Sequence, residues 1–200
     1  MASLLESFTG QHRDIAHVEF RTMLNRAIEM QGAEALRCSK RDAAVHEAGH
    51  VVVDHVEGEQ LHSARIWKEV DGWTGHTNAG EKWEIKPHTP VEHDLRRGRI
   101  VIAGWMAELL EQGDRMAQAS SLDEIIFFRQ INANSAWKMG YTHDAAQGIA
   151  IDQMVAVAET LSARWQAVDA IARALERRER LNGTQLKTMA RRQKAAQAAA

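Results

Sequence analysis

Two histidines four residues apart, with a glutamate beside the first, are the residues of this chain best suited to chemistry. They read His46-Glu47-Ala48-Gly49-His50, inside an apolar, helix-like run from Ala43 to Val56. Residues i and i+4 of a helix share a face. Both imidazoles can therefore aim a nitrogen at one point, about 2.0–2.1 Å from a zinc ion. Glu47 is one step round the helix, placed to touch a water on that ion without ligating the ion itself. Such a water is the nucleophile of a zinc hydrolase, and a carboxylate beside it takes its proton. Gly49 points the same way: a glycine inside a helix costs about 1 kcal/mol against alanine, which suggests close approach of another backbone. The alternative is a helix that merely carries two surface histidines.

The elements that must position these residues follow from capping and turn signals. Ser39, with Asp42 three residues on, makes an approximate capping box at the start of the helix, and Gly58 ends it. Leu61 to Glu69 reads as a strand, Asp71-Gly72 as a turn, and Trp73 to Asn78 as a second strand. The second strand is short, polar and contains glycine. Those features suit an exposed edge whose free N–H and C=O groups pair with an extended peptide, and equally a plain solvent-facing hairpin. A loop is expected from Ala79 to His88. Thr89-Pro90-Val91-Glu92 supplies an N-cap, proline at N1 and glutamate at N3 for a helix running to about Glu111, stopped by Gln112-Gly113.

Ser121-Leu122-Asp123-Glu124 opens a further helix, to about Met139. Asp123 falls in its first turn, where the helix dipole favours negative charge, and spacing alone makes it a helix-start carboxylate. Thr142 to Leu181 reads as one long helical pattern, broken by Asn182-Gly183, with a short last helix from Thr184. Ahead of the His-Glu helix, residues 12–37 read as an amphipathic helix able to cap the domain, pair with a second copy or bind a partner. The organisation expected is an N-terminal helical extension over 1–39, one domain over 40–195 and a frayed tail over 196–200.

Composition narrows the classes. Two hundred residues suffice for one domain with a sizeable core, and 44% hydrophobic with 26% charged residues is ordinary for a globular protein. A net charge of −2 gives no reason to expect nucleic acid as a partner. The basic stretches Arg173 to Arg180 and Lys187 to Lys194 read as solvated helix faces. Cys38 is the only cysteine, so no internal disulfide is possible and a reducing, cytoplasmic setting is expected. The longest apolar run, Ile100 to Ala107, is far short of a membrane span, and no phosphate-binding loop of the Walker type occurs.

Several segments together resemble the protease domain of the FtsH family, the M41 zinc metallopeptidases. Ala44-Val45-His46-Glu47-Ala48-Gly49-His50-Val51-Val52 resembles that family's zinc helix. Ala103-Gly104-Trp105-Met106-Ala107-Glu108-Leu109 is similar to its G-G-R-x-A-E-E-L segment, and Ala119-Ser120-Ser121-Leu122-Asp123 to its G-A-S-N-D motif. Ala170-Ile171-Ala172 with Ala174-Leu175, then Leu181-Asn182-Gly183, follow its C-terminal helix pattern, so the resemblance spans roughly residues 40–190. Trp105 stands where the family has arginine and Leu122 where it has asparagine. Nothing in the first forty residues resembles the ATPase or membrane anchor that family members carry.

The resemblance implies an α+β, mainly α-helical, zincin-like fold with a small sheet, an exposed edge strand and a C-terminal helical bundle. It implies one zinc per chain, held by His46, His50 and Asp123, with Glu47 as general base. It also implies that Trp73, Thr74, Gly75, His76 and Thr77 bind a polypeptide substrate along the edge strand. The activity expected is zinc-dependent endopeptidase cleavage of unfolded or flexible polypeptides. The alternatives are a peptide-binding module of low turnover, or a peptidase subunit working with a separate ATPase or as a homo-oligomer. Glu108 looks like a structural carboxylate or one supporting the site.

Overall fold

The computed structural model describes residues 38–70, 72–80, 89–112, 122–141 and 143–197. The Ser39 side chain accepts the Asp42 N–H while the Asp42 carboxylate accepts the Ser39 N–H, so the expected capping box opens α1, Lys40–Val56. Glu57 caps the other end, and Gly58 follows in the left-handed region at φ 84°. The chain then forms a hairpin of β1, Gln60–Lys68, and β2, Trp73–Gly80. After it come α2, Pro90–Gln112; α3, Leu122–Lys138; and α4, His143–Ala163. Last are α5, Trp165–Arg178; the short β3, Arg180–Asn182; and α6, Gly183–Gln197. The architecture is mainly helical with one small antiparallel sheet, as expected at that level.

α1 lies at the centre. Its buried apolar side chains are small or β-branched, with Ala43, Ala44, Ala48, Val51 and Val52 all within the core. Small residues let neighbouring elements come close, and α1 packs against α2, α5 and both long strands. Gly49 bears out the expected close approach: a Cβ there would fall 2.6 Å from both the Ala103 carbonyl oxygen and the Ala107 Cβ on α2. Arg41 locks the start of α1 to its neighbours by pairing with Glu111 on α2 and with Asp169 and Glu176 on α5. α2 begins with the reciprocal Thr89–Glu92 cap that its sequence announces.

The sheet order is β2-β1-β3, which leaves β2 at an edge among the described residues. β2 runs two residues beyond the expected Asn78, because Ala79 and Gly80 continue the pairing with Leu61 and Gln60 past a bulge between Leu61 and Ser63. β3 corrects the sequence reading. Arg180 to Asn182 leave the helical pattern and pair with Arg65 to Ser63, burying Leu181. The turn into β3 is made by Glu179 at φ 59°, whose carbonyl accepts the Ile66 N–H at 2.8 Å. The long helical pattern is also two helices, parted at Arg164, whose φ of −122° and ψ of 21° leave the helical region.

The expected helix over 12–37, Asp71 of the expected turn, the loop over 81–88, the stop at Gly113 and the cap at Ser121 lie outside the described residues. Among the described residues, no helix is long and apolar enough to cross a membrane.

Candidate metal centre

His46 and His50 leave the same face of α1 with ring centroids 4.9 Å apart. Each ring is fixed from behind through Nδ1. His46 donates its Nδ1–H to Glu108 Oε1 at 2.5 Å, and His50 donates to the Ile100 carbonyl at 2.9 Å, both partners on α2. These bonds set the tautomer, so the Nε2 lone pairs of both rings point forward. Gly104 makes this possible for His46: the ring lies against the glycine Cα, in the space a side chain would fill.

The forward nitrogens converge on a carboxylate. Glu124 Oε1 is 3.1 Å from His46 Nε2 and 3.0 Å from His50 Nε2, and the two nitrogens are 3.2 Å apart. Three lone-pair donors crowded in this way repel one another unless protons or a cation lie between them. Donors around a tetrahedral ion with bonds of about 2.0–2.1 Å stand about 3.3–3.4 Å apart. The observed triangle is close to that size. Glu124 Oε2 is buried with no hydrogen-bond partner, a second oxygen left for an ion to use. His46, His50 and Glu124 can hold a metal ion.

The electrostatics agree. Burial disfavours charge on both histidines, but Glu124 outweighs it, helped at His46 by Glu108, and both rings are raised above the usual imidazole range. Glu124 is half-buried, and against that desolvation His46 and His50 hold its carboxyl well below the usual carboxylate range. Without a metal, protons supply the positive charge that the triangle requires.

The structure brings Glu124, not Asp123, to the two histidines. Asp123 lines the same cavity but is exposed, and no ligand atom of it joins the triad. One residue is about 100° of rotation on a helix, so of two neighbouring carboxylates only one faces α1.

Glu47 sits where the His-Glu spacing puts it, 4% exposed and lining the cavity beside the triad. Thr77 Oγ1 on β2 donates to Glu47 Oε2 at 2.6 Å. Gly75 makes room for the rest of that carboxylate, since a Cβ there would lie 2.6 Å from Glu47 Oε1. Trp73, Thr74, Gly75, His76 and Thr77 all line one cavity of about 580 Å³ with His46, Glu47 and His50. The edge strand thus walls the candidate metal site. Thr77 and Gly75 fix Glu47, a role that their place in the strand did not announce. Glu108, only 1% exposed, is the carboxylate behind His46.

No family model and no curated protein matches this chain.

Proposed function

We propose that this protein is a zinc-dependent endopeptidase of the M41 type, acting on unfolded or flexible polypeptides, with His46, His50 and Glu124 as the protein ligands. The observation that carries the reading is the triangle of Nε2, Nε2 and Oε1 atoms with the Glu47 carboxylate beside it. Two imidazoles and one carboxylate, with a fourth position open to the cavity, match the donor set of catalytic zinc sites. The resemblance of the α1 sequence to the M41 zinc helix supports the same class.

Zinc, when bound, supplies a Lewis acid and a water of lowered pKa. The chain's own residues do the rest. Glu47 takes the proton of the attacking water and returns it to the leaving amine. Thr77 keeps Oε2 of Glu47 engaged, so that one defined oxygen remains for that transfer. β2 offers its outer edge to an extended substrate, which binds by strand addition across the mouth of the cavity. Such a mode needs a locally unfolded segment, because a peptide already in a sheet or helix has no free backbone edge.

The test is hydrolysis of casein or short fluorogenic peptides by zinc-loaded protein. Cleavage is expected to stop with a chelator, return with zinc, and fall by about 10²–10⁴-fold in Glu47→Gln. Cleavage undiminished in that variant contradicts the reading.

A further inference from the structure

Two turns along α1 from His46, on the same face, stands Asp54. It is 4% exposed, and its carboxylate has no hydrogen-bond or ion-pair partner among the described residues. It lines the metal cavity and also a smaller cavity of about 200 Å³. The two cavities share Asp54, Ala79 and Ile100, so the smaller one adjoins the metal cleft at the far end of β2. Ile100 is the residue whose carbonyl fixes His50.

The other charged groups of the smaller cavity have neighbours of their own, although the buried Nε of Arg96 has no hydrogen-bond partner. Glu59 pairs with Arg96, both buried. Arg96 also lies 3.9 Å from Glu57. Arg97 is exposed, with its guanidinium 4.9 Å from the Phe127 ring. His93 lies 3.9 Å from Asp94. Among these groups Asp54 is the acid without a cation of its own, and it faces a space of about 200 Å³. Burial pushes the Asp54 carboxyl up to about 7, with Glu59 adding to the effect and His50 and Arg96 opposing it. An ionised carboxylate in such a place is costly until a cation reaches it.

We propose that the smaller cavity is a subsite of the metal cleft that takes a basic substrate side chain, lysine or arginine, and that Asp54 is the residue that selects it. The proposal rests on the peptidase reading for its substrate class. A charge-assisted hydrogen bond to a buried carboxylate is strong enough to discriminate by about 10- to 100-fold against a neutral side chain of the same length.

The test uses binding rather than turnover. Zinc-loaded Glu47→Gln protein is titrated with fluorescent peptides in which lysine, norleucine or glutamate is placed at each position in turn. At one position lysine is expected to bind about 10- to 100-fold more tightly than norleucine. That advantage should shrink to about 2-fold or less when Asp54→Asn is added. Lysine no better than norleucine at every position overturns the proposal, and that comparison needs no substitution at Asp54. So does a lysine advantage that survives Asp54→Asn. Cleavage by the unsubstituted protein, measured alongside, separates the two claims. Lysine-selective binding with no cleavage sinks the peptidase reading alone. Cleavage with no lysine preference sinks the subsite alone. A protein that binds none of the peptides loses both.

Discussion

Glu108 and His46 form a 2.5 Å hydrogen bond in which a carboxylate on α2, almost completely buried, accepts the Nδ1–H of an imidazole on α1. The bond crosses the interface between the two helices that carry most of the centre's support. It fixes the ring's tautomer, its rotation and its basicity together. Glu108→Gln keeps the size of the side chain but removes the charge. It is expected to weaken zinc binding by about 10- to 100-fold, read by competition with a chromogenic chelator. Unchanged affinity would mean that the packing of α1 against Gly104 alone orients the ring.

Thr77→Val removes the hydroxyl that holds Glu47 Oε2 while keeping the shape of the side chain. If Glu47 is the general base as proposed, peptide hydrolysis is expected to slow by about 10-fold, since a carboxylate free to swing loses alignment. Zinc content should stay at the level of the unsubstituted protein. A variant that loses zinc and activity together would show that Thr77 supports the fold rather than the glutamate.

Asp54 gives a pH dependence with a definite sign. Its folded carboxyl titrates at about 7 against an ordinary value of 3.8. The folded state therefore holds its proton across a range in which the unfolded chain has lost it, and stability falls as pH rises from about 4 to 7. The groups facing it are His50 and Glu47 on its own helix, Glu59 at the start of the hairpin and Arg96 on α2. Asp54→Asn should raise the melting temperature at pH 8 and change it little at pH 4. The gain is bounded at about 4 kcal/mol by the size of the shift. Equal melting curves at pH 8 would place the Asp54 carboxylate in contact with solvent.

Much of the site was legible because its signals are local. The His46–His50 spacing, the Ser39–Asp42 cap and the small residues of α1 each act within a turn or two of helix, where sequence and geometry are directly linked. The hairpin's edge strand was legible for the same reason. The choice between Asp123 and Glu124 was not. Both carboxylates are favourable in the first turn of α3, and which one meets α1 depends on how α3 is rotated against its neighbours. The break at Arg164 carries no glycine or proline to mark it. β3, at three residues, is too short for an alternating pattern, and only its pairing with β1 makes it a strand.

That same choice yields a prediction. Glu124→Ala is expected to lower zinc affinity by at least about 100-fold, as removal of one of the three proposed ligands should. Asp123→Ala should leave it within a few-fold of the original. Equilibrium titration with a metal buffer distinguishes them, and the reverse order would return the ligand role to Asp123.

The most direct measurement is diffraction from crystals grown with zinc, with data collected on both sides of the zinc absorption edge. One anomalous peak per chain is expected in the cavity, about 2.0–2.2 Å from Nε2 of His46, Nε2 of His50 and a carboxylate oxygen of Glu124. No peak between the two imidazoles, or a peak liganded by Asp123 with Glu124 turned away, contradicts the account.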